Sequence, residues 1–540
     1  MARARSAYLG VGSRTVGIPQ SVQEDPRQVP NSAGGFGFKL DDQARLGRFL
    51  VLGSDAPTYY ATARELTKDN AQVVVRMAVE DGTTLVNTIV AISQSGRAPK
   101  NDAALFALAV AASFGNDETR KLALSSLPKV ARIGTHLFQF AGYVETFRGW
   151  GRGLRKAVAD WYLDRDVDSM AYQVLKYRQR GGWSHRDLLR LAHPETAEEA
   201  RRTLFDFVCR REVSAEAMAA VPMLEGFAKA QQEGADIPAL IREYRLAWEM
   251  LPDEAMNKRA TWDALLDVGV PQTALMRQLP RLTNLEMLSG KGSRVDEVTA
   301  QLIDPEKLRR GRVHPVNVLI AQRTYASGHG IKGSTVWQPV RKVADALDAA
   351  FYAAYGAVEP TGKRLLLALD VSGSMMTQIS GLPISCREAT AALALVTANV
   401  EKDYTIVGFT SADGRGWSRQ AALTELSISP RQRLEDAINV VSSLPFGGTD
   451  CSLPFRVAKQ KGWEIDGVVT YTDNETWAGE VHTHVALNDY RRASGIMTRS
   501  VVVGMTANEV SVADPSDPAS MDCVGFDSAL PNLVSDFLRA

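Results

Sequence analysis

The chain has 540 residues, 45% hydrophobic and 23% charged, a balance that fits a soluble globular protein with room for two or more domains. Its 62 Lys and Arg against 62 Asp and Glu leave no net charge, which excludes nucleic-acid binding by bulk charge and requires any such binding to come from local clustering. The balance is uneven: residues 363–540 hold 15 basic and 21 acidic side chains, and residues 1–362 hold 47 and 41.

The N-terminal stretch "MARARSAYLGVGSRTVGIPQSV" carries Arg3, Arg5 and Arg14 with no acid before Glu24. A transit peptide or a basic arm would share this pattern, but its Gly and Pro favour a flexible tail over residues 1–28, and no continuous apolar run marks a signal peptide. From about Asp41 to Gly356 apolar residues recur at three- and four-residue spacing, in "KDNAQVVVRMAVED", "RKLALSSLPKVARI" and "IREYRLAWEML", with breakers such as "SFGND", "RGGW" and "LPDE" between them. Short paired helices over that length fit an α-solenoid, although no clean sequence repeat is visible. The longest apolar helix candidate, "AALFALAVAASF" from Ala103, is too short to cross a bilayer, so a cytoplasmic protein is expected.

Residues 148–211 concentrate 14 Lys and Arg against 9 Asp and Glu, with Trp150, Trp161, Trp183, His185 and His193 among them. Cations beside aromatics are what a phosphate backbone with stacked bases requires. The i, i+4 spacing predicts that Lys176 and Arg180 share a helix face, and that Arg186 and Arg190 do so on the next helix. Each has a plainer reading: an isolated Arg on a solvated face, a capping role for His193 before Pro194, core positions for the tryptophans. Further on, His314 and His329 lie near Lys332 in a glycine-rich segment, "GHGIKGS". It lacks the spacing of a phosphate-binding loop, which argues against nucleotide hydrolysis.

After "YGAVEPTGK" the pattern changes. "RLLLALD", "YTIVGF", "DGVVTYTD", "RSVVVGMT" and "MDCVGFD" read as strands alternating with helices such as "CREATAALALVTANV", which predicts a doubly wound parallel sheet over residues 363–540. The first strand ends in oxygen: Asp370, Ser372 and Ser374, with Gly373 between. Ligands of such sheets bind beyond the carboxyl ends of the strands, where Asp473 also falls, and the loop "PFGGTD" supplies Thr449. One or two carboxylates with several hydroxyls suit Mg²⁺; the alternative is that Asp370 and Ser372 cap the following turn. Cys209, Cys386, Cys451 and Cys523 have neither metal-ligand nor redox spacing and read as structural thiols of a reducing compartment.

"LDVSGSM", "GGTD" and "YTDNE" resemble the metal-ion-dependent adhesion site of von Willebrand factor A domains. That resemblance implies metal contacts from Asp370, Ser372, Ser374 and Thr449, an Asp473 acting largely through water, and a vacant metal position that accepts a carboxylate of a protein ligand. "RFLVLGSDAPTYY", "GRGLRKAVADWYLDRD", "KYRQRGGWSHRDLLRLAHP" and "RVHPVNVLIAQRTYASGHGIKG" resemble the TROVE module of Ro autoantigens. With the likeness running from about Val29 to the C-terminus, the chain is identified as a member of the Ro family of bacterial type. This implies a ring of HEAT-like helical repeats over residues 29–362, closed by a Rossmann-like von Willebrand factor A domain over 363–540. It also implies binding of a small noncoding Y-type RNA through positions matching Lys176, Arg180 and His193. Single-stranded 3′ ends of defective structured RNAs would enter the central hole, and a 3′-to-5′ exoribonuclease is an expected partner. Two rivals remain from the residues alone. One is a protein-interaction scaffold gripping an acidic partner; the other is a Mg²⁺-dependent nuclease, disfavoured because the metal loops are mostly hydroxylic.

Overall fold

The computed structural model describes residues 7–9, 17–52, 63–330, 334–356, 358–379, 384–410, 422–430, 432–444, 447–506 and 508–540. Its strands, in chain order, are β1 (Ala7–Leu9), β2 (Gln28–Pro30), β3 (Phe36–Lys39), β4 (Gln179–Arg180), β5 (Trp183–Ser184), β6 (Leu365–Asp370), β7 (Tyr404–Thr410), β8 (Ala422–Glu425), β9 (Gly467–Thr472), β10 (Arg499–Gly504), β11 (Val510–Ser511) and β12 (Ser520–Val524). The main sheet has the order β1-β8-β7-β6-β9-β10-β12, parallel from β7 to β12 with β8 and β1 antiparallel at one edge. Because successive strand residues face opposite ways, Leu365, Leu367 and Leu369 enter one core and Leu366 and Ala368 the other. Both faces are covered by helices, which is why β6 reads as an unbroken apolar run. Helices Cys386–Val400 and Leu530–Arg539 cover the first face, Leu453–Lys461 and Thr483–Ser494 the second.

The described residues between Asp42 and Ala353 are almost wholly short helices. Several of their starts are fixed by side-chain caps: Asn116 accepts from Thr119 N (2.9 Å), Asp166 from Ser169 N (2.8 Å) and Asp304 from Lys307 N (3.1 Å). Each such cap contributes about 1 kcal/mol, too little to hold a ten-residue helix alone, so stability comes from stacking neighbours. In helix Asp102–Phe114, buried Ala103, Ala104, Ala107, Ala109, Ala111 and Ala112 let flanking helices approach closely. The first face of the sheet and the helical half share one continuous apolar core.

Both ends of the helical half dock on the sheet domain, closing a ring. At one end Arg48, in helix Asp42–Leu52, reaches Asn508 Oδ1 (2.6 Å) and both oxygens of Asp522 (2.8 Å). At the other, Phe351 packs on Phe526 with ring centroids 6.3 Å apart, and Arg433 pairs with Asp345. Arg97 to Asp527 (3.3 Å) and Arg323 to Glu388 (2.5 Å) add links between. Removing one partner of a buried, hydrogen-bonded ion pair strands the other, at a cost of about 3–5 kcal/mol. Arg48→Ala is therefore expected to lower the unfolding free energy by an amount of that order, measured by urea denaturation; a change under about 1 kcal/mol would show that Arg48 does not hold the closure.

The N-terminal segment departs from the expected flexible tail. Ala7–Leu9 forms the sheet-edge strand β1 against Leu423–Glu425, and β2 and β3 form a small sheet with β11 of the C-terminal domain. Buried Gln20 donates to Asp450 Oδ1 (2.7 Å) and accepts from Thr476. Edge pairing with strands more than 400 residues away satisfies backbone groups that a free tail would leave to water.

Candidate nucleic-acid interface and metal centre

The ends of β6 and β9 meet the loop before helix Leu453–Lys461 in a buried, oxygen-rich pocket. Asp370 is fully buried; its Oδ1 accepts from Ser372 N (2.9 Å) and its Oδ2 from the Thr472 hydroxyl (2.7 Å). The Ser372 and Ser374 hydroxyls lie 3.0 Å apart. Glu475 N donates to Asp473 Oδ1 (3.0 Å). Thr449 Oγ1 and Asp473 Oδ2 are buried with no hydrogen-bond partner among the described residues. The structure sets Asp370, Ser372, Ser374 and Asp473 at one end of the sheet, with Thr449 buried in the loop before helix Leu453–Lys461, and adds Thr472 as the group that orients Asp370. Among the described residues no group of three or more His, Cys, Asp or Glu is placed to hold a metal ion.

Burial, and then the Asp473 charge, pushes the Asp370 carboxyl up to about 7; burial raises Asp473 too. Glu475 is pushed to about 7 and Asp450 to about 6, burial being the main cause in each. Two orphaned oxygens and a pair of carboxylates raised by desolvation, Asp370 also by the charge of Asp473, are the environment that a hard divalent cation relieves. The sign of the pH dependence follows. A carboxyl whose folded value exceeds its unfolded value of about 4 stabilises the fold when protonated, and that contribution is lost as pH rises toward 7. With chelator present, the melting temperature is expected to fall between pH 5 and 8, and Mg²⁺ to raise it more at pH 8 than at pH 5. An equal Mg²⁺ effect at both pH values would contradict this.

The cationic candidates divide. Arg186 and Arg190 share a face of helix His185–Ala192, with Arg190 exposed, and Ser184 and Asp187 form a reciprocal cap at its start. His193 ends that helix in the left-handed conformation (φ 46°) and caps it through its backbone N–H to Leu189 O (3.0 Å), leaving an exposed side chain. The capping reading of His193 therefore holds, with its side chain left exposed. Lys176 and Arg180, however, do not share a helix. Helix Val167–Lys176 stops at Lys176, and Gly181 and Gly182, both at positive φ, turn the chain into the β4–β5 hairpin with Arg180 exposed on it. Lys176 is largely buried at 7% side-chain exposure, donating to the Tyr172 hydroxyl (2.8 Å) and lying 3.6 Å from Glu249 Oε1.

His185 is not at the surface. It is 1% exposed, its Nδ1 lies 2.6 Å from the Tyr162 hydroxyl, its ring packs between Phe138 and Trp161, and burial pushes its pKa down to about 3. As the first residue of a helix fixed by the Ser184 cap, it faces the core. Trp161 is likewise core, donating to Ala131 O (2.5 Å), whereas Trp150 and Trp183 form a half-buried pair 5.5 Å apart. His314 is a buried helix cap accepting from Val316 N (3.2 Å), His329 is exposed, and Lys332 lies outside the described residues. Between the hairpin and helices Glu199–Val208 and Pro222–Ala230 opens a cleft of about 930 Å³, lined by Lys176 and Arg186 and by Arg178, Arg210 and Glu249, which charge counting along the sequence did not single out.

Comparison with known proteins matches this arrangement. The TROVE domain family matches residues 29–233 and 243–324, and the Ro60 vWA domain family matches residues 364–538. The chain is similar to RNA-binding protein RO60 of Deinococcus radiodurans, at 40% identity covering 96% of this chain and 97% of that one. It is also similar to RNA-binding protein RO60 of Caenorhabditis elegans, at 36% identity covering 96% and 92%. The crystal structure of the Deinococcus radiodurans RO (RSR) protein superposes with a TM-score of 0.67 at 38% identity, covering 92% of this chain and 99% of that chain. A helical ring closed by a sheet domain, with both domain families in this order, places the chain in the Ro60 family.

Proposed function

We propose that this chain is an RNA-binding protein that forms a ribonucleoprotein with a small noncoding Y-type RNA and binds 3′ ends of misfolded or immature structured RNAs for quality control or processing. The observation that carries the reading is the exposed run of Arg180, Arg190 and His193, brought onto neighbouring elements beside the Lys176 and Arg186 cleft. Relatives named as RNA-binding proteins over nearly the whole chain support it. In this reading the protein is not an enzyme, works in the cytoplasm, and hands RNA to a 3′-to-5′ exoribonuclease. Among the described residues no helix is long and apolar enough to cross a membrane.

The second reading adds to the first. Asp370, Ser372, Ser374 and Thr449, with Asp473 behind them, hold Mg²⁺, which supplies a charge-neutralising position for a carboxylate of a protein ligand. The buried, unpartnered Thr449 and Asp473 oxygens favour it.

A salt titration separates RNA binding from peptide docking, since neutralised phosphates make log affinity fall steeply with log salt. For a Y-type RNA hairpin, Arg180→Ala with Arg190→Ala is expected to make that slope shallower by about 1 to 2. An unchanged slope in a folded double variant would place the RNA on another surface.

A further inference from the structure

Arg48 closes the ring on a residue that also holds the metal loop. Its Nη1 donates to Asn508 Oδ1 (2.6 Å), while its Nη2 holds both oxygens of Asp522 (2.8 Å). The other end of the Asn508 side chain donates through Nδ2 to the main-chain oxygen of Asp473 and lies 3.3 Å from Glu475 Oε1. Thr506 doubles both links: its hydroxyl donates to the same Asp473 oxygen (3.2 Å), and its carbonyl accepts from Arg48 Nη1 (3.4 Å). These partners give the Asn508 amide one orientation. Turned over, it would set its carbonyl against the Asp473 and Glu475 oxygens and its N–H groups against the Arg48 guanidinium. Asn508 is 5% exposed and Arg48 1%, so a broken link strands buried polar groups.

Asp473 therefore serves two structures. Its carboxylate, with Oδ2 buried and unpartnered among the described residues, belongs to the metal pocket, and its carbonyl belongs to the junction between the sheet domain and the helical half. Two buried carboxylates, Asp370 and Asp473, repel each other when no cation lies between them, and Asp473 is held against that repulsion. A divalent cation turns the repulsion into attraction and fixes Asp473 in place. A fixed carbonyl offers Asn508, and through it Arg48, a partner whose ordering cost is already met, so the second event costs less than it would alone.

We propose that Asn508 couples the metal pocket to closure of the ring: a divalent cation at Asp370, Ser372 and Ser374 strengthens docking of helix Asp42–Leu52, and docking strengthens cation binding by the same factor. This rests on the metal reading above. The test is hydrogen exchange of the full-length protein, read by mass spectrometry with and without saturating Mg²⁺, beside calorimetry of Mg²⁺ binding. Amides of helix Asp42–Leu52 are expected to exchange about fivefold or more slowly with Mg²⁺, and those of helix Glu199–Val208, in the middle of the helical half, to change by less than about twofold. Asn508→Ala is expected to remove the effect on helix Asp42–Leu52 while calorimetry still shows Mg²⁺ bound, and Arg48→Ala to weaken Mg²⁺ binding about fivefold. The wild-type comparison decides the coupling without any variant. Mg²⁺ bound to the wild type with helix Asp42–Leu52 unchanged, or with both helices slowed alike, overturns the coupling and leaves the metal reading standing. A response that survives Asn508→Ala, or unchanged Mg²⁺ affinity in folded Arg48→Ala, overturns the route through Asn508. No Mg²⁺ binding to the wild type overturns both readings.

Discussion

Asp370→Ala is expected to abolish Mg²⁺ binding, read by calorimetry or by Mn²⁺ relaxation, while leaving affinity for Y-type RNA within a few-fold. Asp370 is the carboxylate toward which the Ser372 backbone and the Thr472 hydroxyl are arranged, and its loss leaves Asp473 as the one carboxylate of the set. The fold should survive, because removing Asp370 ends its repulsion with a fully buried Asp473. Asp370→Asn, which keeps an acceptor for Ser372 N, controls for the two donors that alanine orphans. RNA should be nearly indifferent, since the metal pocket sits in the acidic half of the chain and a single cation suits one carboxylate better than a phosphate backbone spread over many residues. RNA binding destroyed by Asp370→Ala, with an unchanged melting temperature, would make the metal pocket part of RNA recognition.

The complementary change has the larger expected effect on RNA. Arg180→Glu with Arg190→Glu puts two negative charges where the RNA-binding reading places phosphates, and is expected to weaken Y-type RNA binding by about a hundredfold or more at physiological salt. Both side chains are exposed, so stability should stay within about 0.5 kcal/mol. Mg²⁺ affinity should not change. A folded charge-reversal variant that still binds RNA at the wild-type level would remove this surface from the account.

How much of this was legible in the chain depends on how local each signal was. The oxygen-rich strand end was readable because DxSxS fixes three oxygens within five residues, and the parallel pairing of β6 with β9 sets Asp473 at the same end. Lys176 with Arg180 misled because i, i+4 spacing means a shared face only inside a helix, and Gly181-Gly182 makes a hairpin there instead. His185 was hidden for a related reason: its position just after the Ser184 cap turns it inward, and only the tertiary partners Tyr162, Phe138 and Trp161 show it to be core. The pairing of Phe38 and Lys39 with Ser511 and Val510 spans more than 400 residues, so no local pattern announces it. The place of Glu249 in the cleft was invisible because one acid in a helix-rich segment is ordinary until the fold sets it beside Lys176.

The central claim is that RNA lies on the hairpin and the His185–Ala192 helix rather than on the sheet domain. Ultraviolet crosslinking of the protein to RNA in its native cell, with crosslinked peptides identified by mass spectrometry and the RNA sequenced, tests it most directly. The account predicts crosslinks concentrated between residues 176 and 212, on a small structured RNA. Crosslinks confined to residues 363–540, or none above background, would contradict it.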